Sequence, residues 1–242
     1  GNHEFNAIAW HTEDPDNPYQ YLREHTARHM RQHQAFLDAY QGTADHGDLI
    51  EWFRTLPMWL DLGELRVVHA CWDDLLMQAL LVNYPTLNDY LDDELLVKAS
   101  RKDALEHEAV EILLKGKEIE LPKGHSFLDK DGHARHAVRI RWFDANSITY
   151  QAAFLGPEKA RSHIPEDPIG ADHIIQYSHD DPPVFFGHYW LEDDVPELLA
   201  PNVACLDYSV ASDGGGKLVA YRWDGEQRLD SGKFVFVDRR AA

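Results

Sequence analysis

Val184-Phe185-Phe186-Gly187-His188-Tyr189-Trp190 reads as a short buried strand that stops at a glycine and delivers a histidine. Pro182 and Pro183 precede the run, and Gly187 allows a sharp turn that projects the imidazole past the strand's carboxyl end. Leu65-Arg66-Val67-Val68-His69-Ala70 repeats the pattern: β-branched residues, then a histidine. Met58 to Leu62 lies just before it across Gly63, so a hairpin is expected there. Either histidine alone also reads as a satisfied core residue. A pair of strand ends, each presenting an imidazole, points instead to ligand delivery. Gly1-Asn2-His3-Glu4 supplies partners for them: Asn2 offers an amide oxygen to a cation, and His3 an imidazole that binds metal or carries a proton.

GNHE at residues 1–4, then VVHA at 67–70, FFGHYW at 185–190 and ACLDYSVASDGGGKLVAYRWDG at 204–225 follow one another in an order that resembles the calcineurin-like metallophosphoesterases. The nearest resemblance is to the branch with the Ser/Thr protein phosphatases and the bacterial diadenosine tetraphosphatases. It runs along nearly the whole chain, on motifs that are specific jointly rather than singly. It implies an α/β (α+β) fold: a metallophosphoesterase-like β-sandwich flanked by helices, in which residues 73–114 form a helical cap insertion and 115–140 a hairpin excursion. It also implies hydrolysis of a phosphate mono- or diester or anhydride through a hydroxide bridging two divalent ions, Mn being favoured over Fe or Zn. Asn2, His69 and His188 are then ligands of one ion, His3 the acid facing the leaving oxygen, and Arg141 the phosphate clamp.

The chain departs from the family in three places. In the family, D-x-H and G-D-x-x-D-R-G motifs precede GNHE and here none does, so residues 1–242 are expected to be the C-terminal part of one domain, without its first strands. At most a partial site for one ion is then expected, with weak activity. Cys71 stands where the family has glycine after its histidine, and Trp190 where many members carry a second histidine. An alternative from another class is a non-catalytic phosphoesterase-like interaction module.

Composition narrows the classes independently. With 242 residues and 44% hydrophobic content the chain can bury the core of one domain. A formal net charge of -19 excludes broad nucleic-acid binding, which needs Lys and Arg against phosphates. The partners implied are a phosphorylated small molecule, a nucleotide or a phosphoprotein, each requiring local positive potential from metal ions and arginines. No apolar run approaches the roughly eighteen residues of a membrane span. Cys71 and Cys205 are too few for a disulfide framework, and a cytoplasmic, reduced protein is expected.

Other motifs fail on spacing. His3-Glu4-Phe5-Asn6-Ala7 is not a zincin helix, Asp129 to Gly132 is too short for an EF-hand loop, and Gly214-Gly215-Gly216 lacks the G-K-[ST] of a phosphate loop. A helix from about Tyr19 to Tyr40 would stack His25, His29 and His33 on one face, read as an exposed polar stripe among Arg23, Arg28 and Arg31. Arg139 and Arg141 alternate around Ile140 as in a strand, so both face one side, where they suit either phosphate or neighbouring carboxylates. Asp207 reads as polar support behind the site, with no catalytic role.

Overall fold

The computed structural model describes residues 1–128, 133–156, 158–170, 173, 175, 177–212 and 215–239. It is a mixed α/β chain in two compact units, residues 1–59 with 73–114 and residues 60–72 with 115–242. No helix among the described residues is long and apolar enough to cross a membrane.

The first unit is helical: α1 (Asn2–His11), α2 (Ala27–Tyr40), α3 (Asp45–Arg54), α4 (Asp74–Asn83), α5 (Asp93–Ala99) and α6 (Leu105–Lys115). Oxygen-bearing side chains start several of them. Asp73 accepts the Leu76 N–H at 3.2 Å and Asp92 the Leu95 N–H at 2.9 Å, each satisfying a donor that a helix start leaves over. Either Asp45 or Asp48 reads in the sequence as a cap for a helix over Leu49 to Leu56. Both lie instead inside the first turn of α3, where carboxylates complement the helix dipole. Ile8, Trp10, Leu80, Leu95, Leu96 and Leu113 are among the buried residues of this unit.

The long second helix is shorter than expected. Thr26 accepts the His29 N–H at 3.2 Å and caps α2 there, so His25 lies outside the helix. His25 stacks on Trp10 at 3.8 Å and on Tyr21 at 4.3 Å between ring centroids. His33 is only 9% exposed, which overturns the solvent-facing stripe at that position. Its Nε2 lies 3.5 Å from His11 Nε2, which is 3.1 Å from His46 Nε2. One imidazole from each of α1, α2 and α3 thus meets around a single nitrogen. Burial first, then the neighbouring His46, His33 and His25, lower the His11 pKa to about 4. Burial, then Arg23 and the imidazoles of His46, His3 and His25, lower His33 to about 4 as well.

In the second unit β1 (Trp59–Asp61) and β2 (Arg66–Val68) flank a turn in which Leu62 N–H donates to Leu65 O at 2.9 Å. Gly63 there has φ +80, so the expected hairpin stands. A nested excursion follows: β3 (Glu118–Glu120), β4 (Phe127–Leu128), β5 (Ala134–Arg135) and β6 (Ala137–Arg139), with β3 antiparallel to β6 and β4 to β5. His125, His133 and His136 are exposed on it, as expected. The turn expected at Asp131-Gly132 and the one at Asp213-Gly214 lie outside the described residues. Two short helices, α7 (Tyr150–Ala153) and α8 (Glu158–Arg161), precede β7 (Val184–Phe186) and β8 (Val203–Cys205). β9 (Asp207–Tyr208), β10 (Lys217–Tyr221) and β11 (Phe234–Asp238) end the chain.

The largest sheet has the order β1-β2-β7-β8, and β2, β7 and β8 run parallel. β7 is buried on both faces, which its unbroken Val-Phe-Phe run requires. A separate antiparallel sheet has the order β11-β10-β9. Ile119, Leu121, Val138, Ile140 and Phe154 form one buried cluster, and Phe185, Ala204 and Leu229 another.

Gly116 illustrates a backbone position that only glycine serves. Its φ is +89, and an added Cβ would overlap the hydroxyl of Tyr189, a residue only 6% exposed. Gly116→Ala is expected to destabilise the fold by about 2 kcal/mol, combining left-handed strain with overpacking. At Gly63, with φ +80 and open space around it, alanine meets only the strain, about 1 kcal/mol. Denaturant titration of the two variants measures the difference.

Candidate functional site

The parallel strands of the second unit end side by side, and their carboxyl ends carry the candidate residues. His69 follows β2 directly, and Gly187-His188 follow β7. In open α/β sheets ligands gather at such carboxyl ends, because the loops there are free to present side chains. Gly187 N–H donates to the His69 carbonyl at 2.9 Å, which continues the β2–β7 ladder into the turn. The two imidazole rings lie with centroids 5.3 Å apart at 61° to one another. Both residues are partly exposed.

The sharp turn falls one residue later than the sequence suggests. Gly187 does not have positive φ, whereas His188 itself has φ 74 and Trp190 φ 54. Non-glycine residues adopt the left-handed region at a cost of about 1–2 kcal/mol each, and such outliers gather at functional sites. Tyr189 between them is buried, and burial raises its phenol pKa well above the usual value. It anchors a turn whose neighbours on both sides are strained.

Arg141 lies beyond the end of β6. Its Nη2 donates to Leu199 O at 3.3 Å, and the guanidinium stands 5.2 Å from the Phe143 ring centroid. Burial lowers its pKa, an effect that Asp144 opposes. The next residue, Trp142, donates its indole N–H to Ala70 O at 3.0 Å, so the segment carrying Arg141 is tied to the residue after His69. Arg141, Trp142, Asp144 and Ser147 help line a recess enclosing about 190 Å³, mouth included. The enclosed space within it is only about 10 Å³, room for about one water molecule. Arg139 takes the structural course: its Nε is 3.3 Å from Glu118 Oε1, and the guanidinium stands 6.0 Å from the Tyr189 ring centroid.

Asn2 and His3 occupy the first turn of α1, as expected, with His3 exposed. They belong to the first unit, whereas His69, His188 and Arg141 belong to the second. Among the described residues no group of three or more His, Cys, Asp or Glu side chains is placed to hold a metal ion. The pair of His69 and His188 fits the imidazole share of a divalent-ion site and not a complete ligand set. Cys71 and Cys205 are both buried thiols, and burial pushes Cys205 up to about 12, which suits a structural thiol.

Asp207 is more engaged than its sequence position suggests. Its Oδ2 accepts the Trp190 N–H at 3.2 Å, its Oδ1 the Ser209 N–H at 3.2 Å, and its carbonyl the Leu191 N–H at 3.0 Å. A carboxylate one residue past an apolar strand is the only sequence signal for this; its three backbone partners have none.

No protein-family model, curated protein or solved structure matches the chain. The resemblance to calcineurin-like metallophosphoesterases therefore rests on the order and content of the short motifs.

Proposed function

We propose that this chain is a metal-dependent phosphoesterase acting on phosphate mono- or diesters or anhydrides. The observation carrying this is the pair of imidazoles, His69 and His188, presented at neighbouring carboxyl ends of parallel strands with ring centroids 5.3 Å apart. A β-sandwich flanked by helices, with residues 73–114 as a helical insertion and 115–140 as a hairpin excursion, belongs to the same proposal, as does a reducing, cytoplasmic setting.

In this scheme His69 and His188 hold a divalent ion, Mn foremost. When bound, divalent ions supply Lewis acidity and lower the pKa of water from 15.7 toward roughly 7, so hydrolysis needs no strong protein base. Arg141 binds phosphoryl oxygens through its fork of N–H donors. The substrate in this scheme is a phosphorylated small molecule, a nucleotide or a phosphoprotein.

With two imidazoles as its protein ligands, the site should hold one ion weakly and turn over slowly. Mn²⁺ titration by calorimetry together with p-nitrophenyl phosphate turnover tests this. His69→Ala and His188→Ala should each weaken Mn²⁺ binding by about tenfold or more. Two tightly held ions, unchanged in His188→Ala, would defeat the proposal. Mn²⁺ binding with no turnover at any metal concentration would favour a non-catalytic phosphoesterase-like interaction module.

A further inference from the structure

Among the described residues of the second unit, three that are not glycine have left-handed backbone: His188 (φ 74), Trp190 (φ 54) and Ser209 (φ 57). Each such residue costs about 1–2 kcal/mol, so a cluster of three persists only where other contacts fix it. The contacts converge on one side chain. Asp207 takes the Trp190 N–H on Oδ2 and the Ser209 N–H on Oδ1, both at 3.2 Å. Its carbonyl takes Leu191 N–H at 3.0 Å, and the Ser209 hydroxyl donates to Leu191 O at 3.0 Å. A Cβ added to Gly187 would lie 3.4 Å from Asp207 Cβ, so the residue preceding His188 packs directly on Asp207.

We infer that Asp207 is a positioning residue: it fixes the turn at residues 188–191 and so sets the direction in which His188 presents its imidazole. The inference deepens, and rests on, the reading of His188 as a ligand for a divalent ion. Each carboxylate oxygen of Asp207 already accepts a backbone N–H, and that is the arrangement of a scaffold rather than of a metal ligand. The negative charge strengthens both bonds, since a carboxylate accepts from N–H more strongly than a neutral oxygen does. Asparagine at 207 retains one acceptor oxygen, but turns an NH₂ toward the other backbone N–H.

Two readouts decide the matter: the backbone chemical shifts of His188 and Trp190, which report left-handed φ without any metal, and Mn²⁺ affinity by calorimetry. In Asp207→Ala the shifts should leave the left-handed range, and Mn²⁺ should bind about tenfold more weakly, while near-ultraviolet dichroism stays close to that of the parent. Asp207→Asn should recover part of both, which general loss of structure would not produce. It also replaces Asp207→Ala should alanine prevent folding. Unchanged shifts and unchanged Mn²⁺ affinity in either variant overturn the inference. Changed shifts in a parent that binds no Mn²⁺ uphold the positioning role and remove the metal reading instead.

Discussion

Arg101→Ala is expected to destabilise the helical unit by about 3 kcal/mol, the lower end of what removing one partner of a buried ion pair costs. Arg101 Nη2 lies 2.6 Å from Asp14 Oδ1 and Nη1 3.1 Å from Asp14 Oδ2, a two-pronged pair, and Nη2 also reaches Asp16 Oδ2 at 2.9 Å. Asp14 is 7% exposed, so its charge cannot return to water when the guanidinium is removed. Arg101 keeps 35% of its side-chain exposure, which places the estimate low in the range. Asn17 Nδ2 at 2.9 Å and Asp16 N–H at 3.0 Å remain as donors to Asp14 and limit the loss. Arg101→Lys keeps the charge without the fork and should lose roughly half as much. Urea titration followed by far-ultraviolet dichroism measures both; a loss below about 0.5 kcal/mol for the alanine variant would show the pair to be marginal.

The pair also carries a pH signature. The Arg101 hydrogen bond, foremost among several, holds the Asp14 carboxyl well below its ordinary value of 3.8. Its stabilisation is therefore complete above that value and is lost as pH falls below it.

Acid acts earlier on the three-histidine cluster, and a loss of about 3 kcal/mol is expected there as pH falls from 6.5 toward 4. His11 and His33 have folded pKa values near 4 against 6.5 for the free side chain. The unfolded chain takes up protons first, so stability is complete above about 6.5 and falls through the window down to about 4. The two shifts would sum to about 7 kcal/mol if independent, but each imidazole lowers the other and His11 is partly exposed, so about half is expected. His11 Nε2 can share only one proton with its two neighbouring nitrogens, and a second charge among rings this close is repelled. The thermal midpoint should drop through this window, and Trp10 fluorescence should change with it, since His25 stacks on Trp10 and His33 lies 5.5 Å from its ring. His46→Gln removes one repelling neighbour and should flatten the slope. A midpoint constant from pH 6.5 to 4 would contradict the assignment.

Short apolar runs made the parallel strands legible in the sequence. Val184-Phe185-Phe186 and Arg66-Val67-Val68 are too short to compete as helices, and the structure ends the first at Gly187 and the second at His69. The hairpin across Gly63 was equally readable, because a glycine turn between two apolar runs is a local signal. The histidine cluster was not. Its members are separated by 22 and 35 residues, and the four-residue spacing of His25, His29 and His33 suggested one helical face until the Thr26 cap divided it. Gly187 drew attention as the flexible point, yet the left-handed backbone falls on His188 and Trp190, held by a carboxylate 17 residues on from Trp190. Hydrogen bonds between distant segments leave no pattern in a single sequence.

The most direct measurement is an Mn²⁺ titration followed on the imidazole resonances of the 15 histidines, because a bound paramagnetic ion broadens the nearest rings first. If His69 and His188 form the ion site, their two signals broaden together at the lowest Mn²⁺ concentrations while those of His125, His133 and His136 persist. Broadening that begins at other histidines and spares this pair would contradict a metal site at the strand ends.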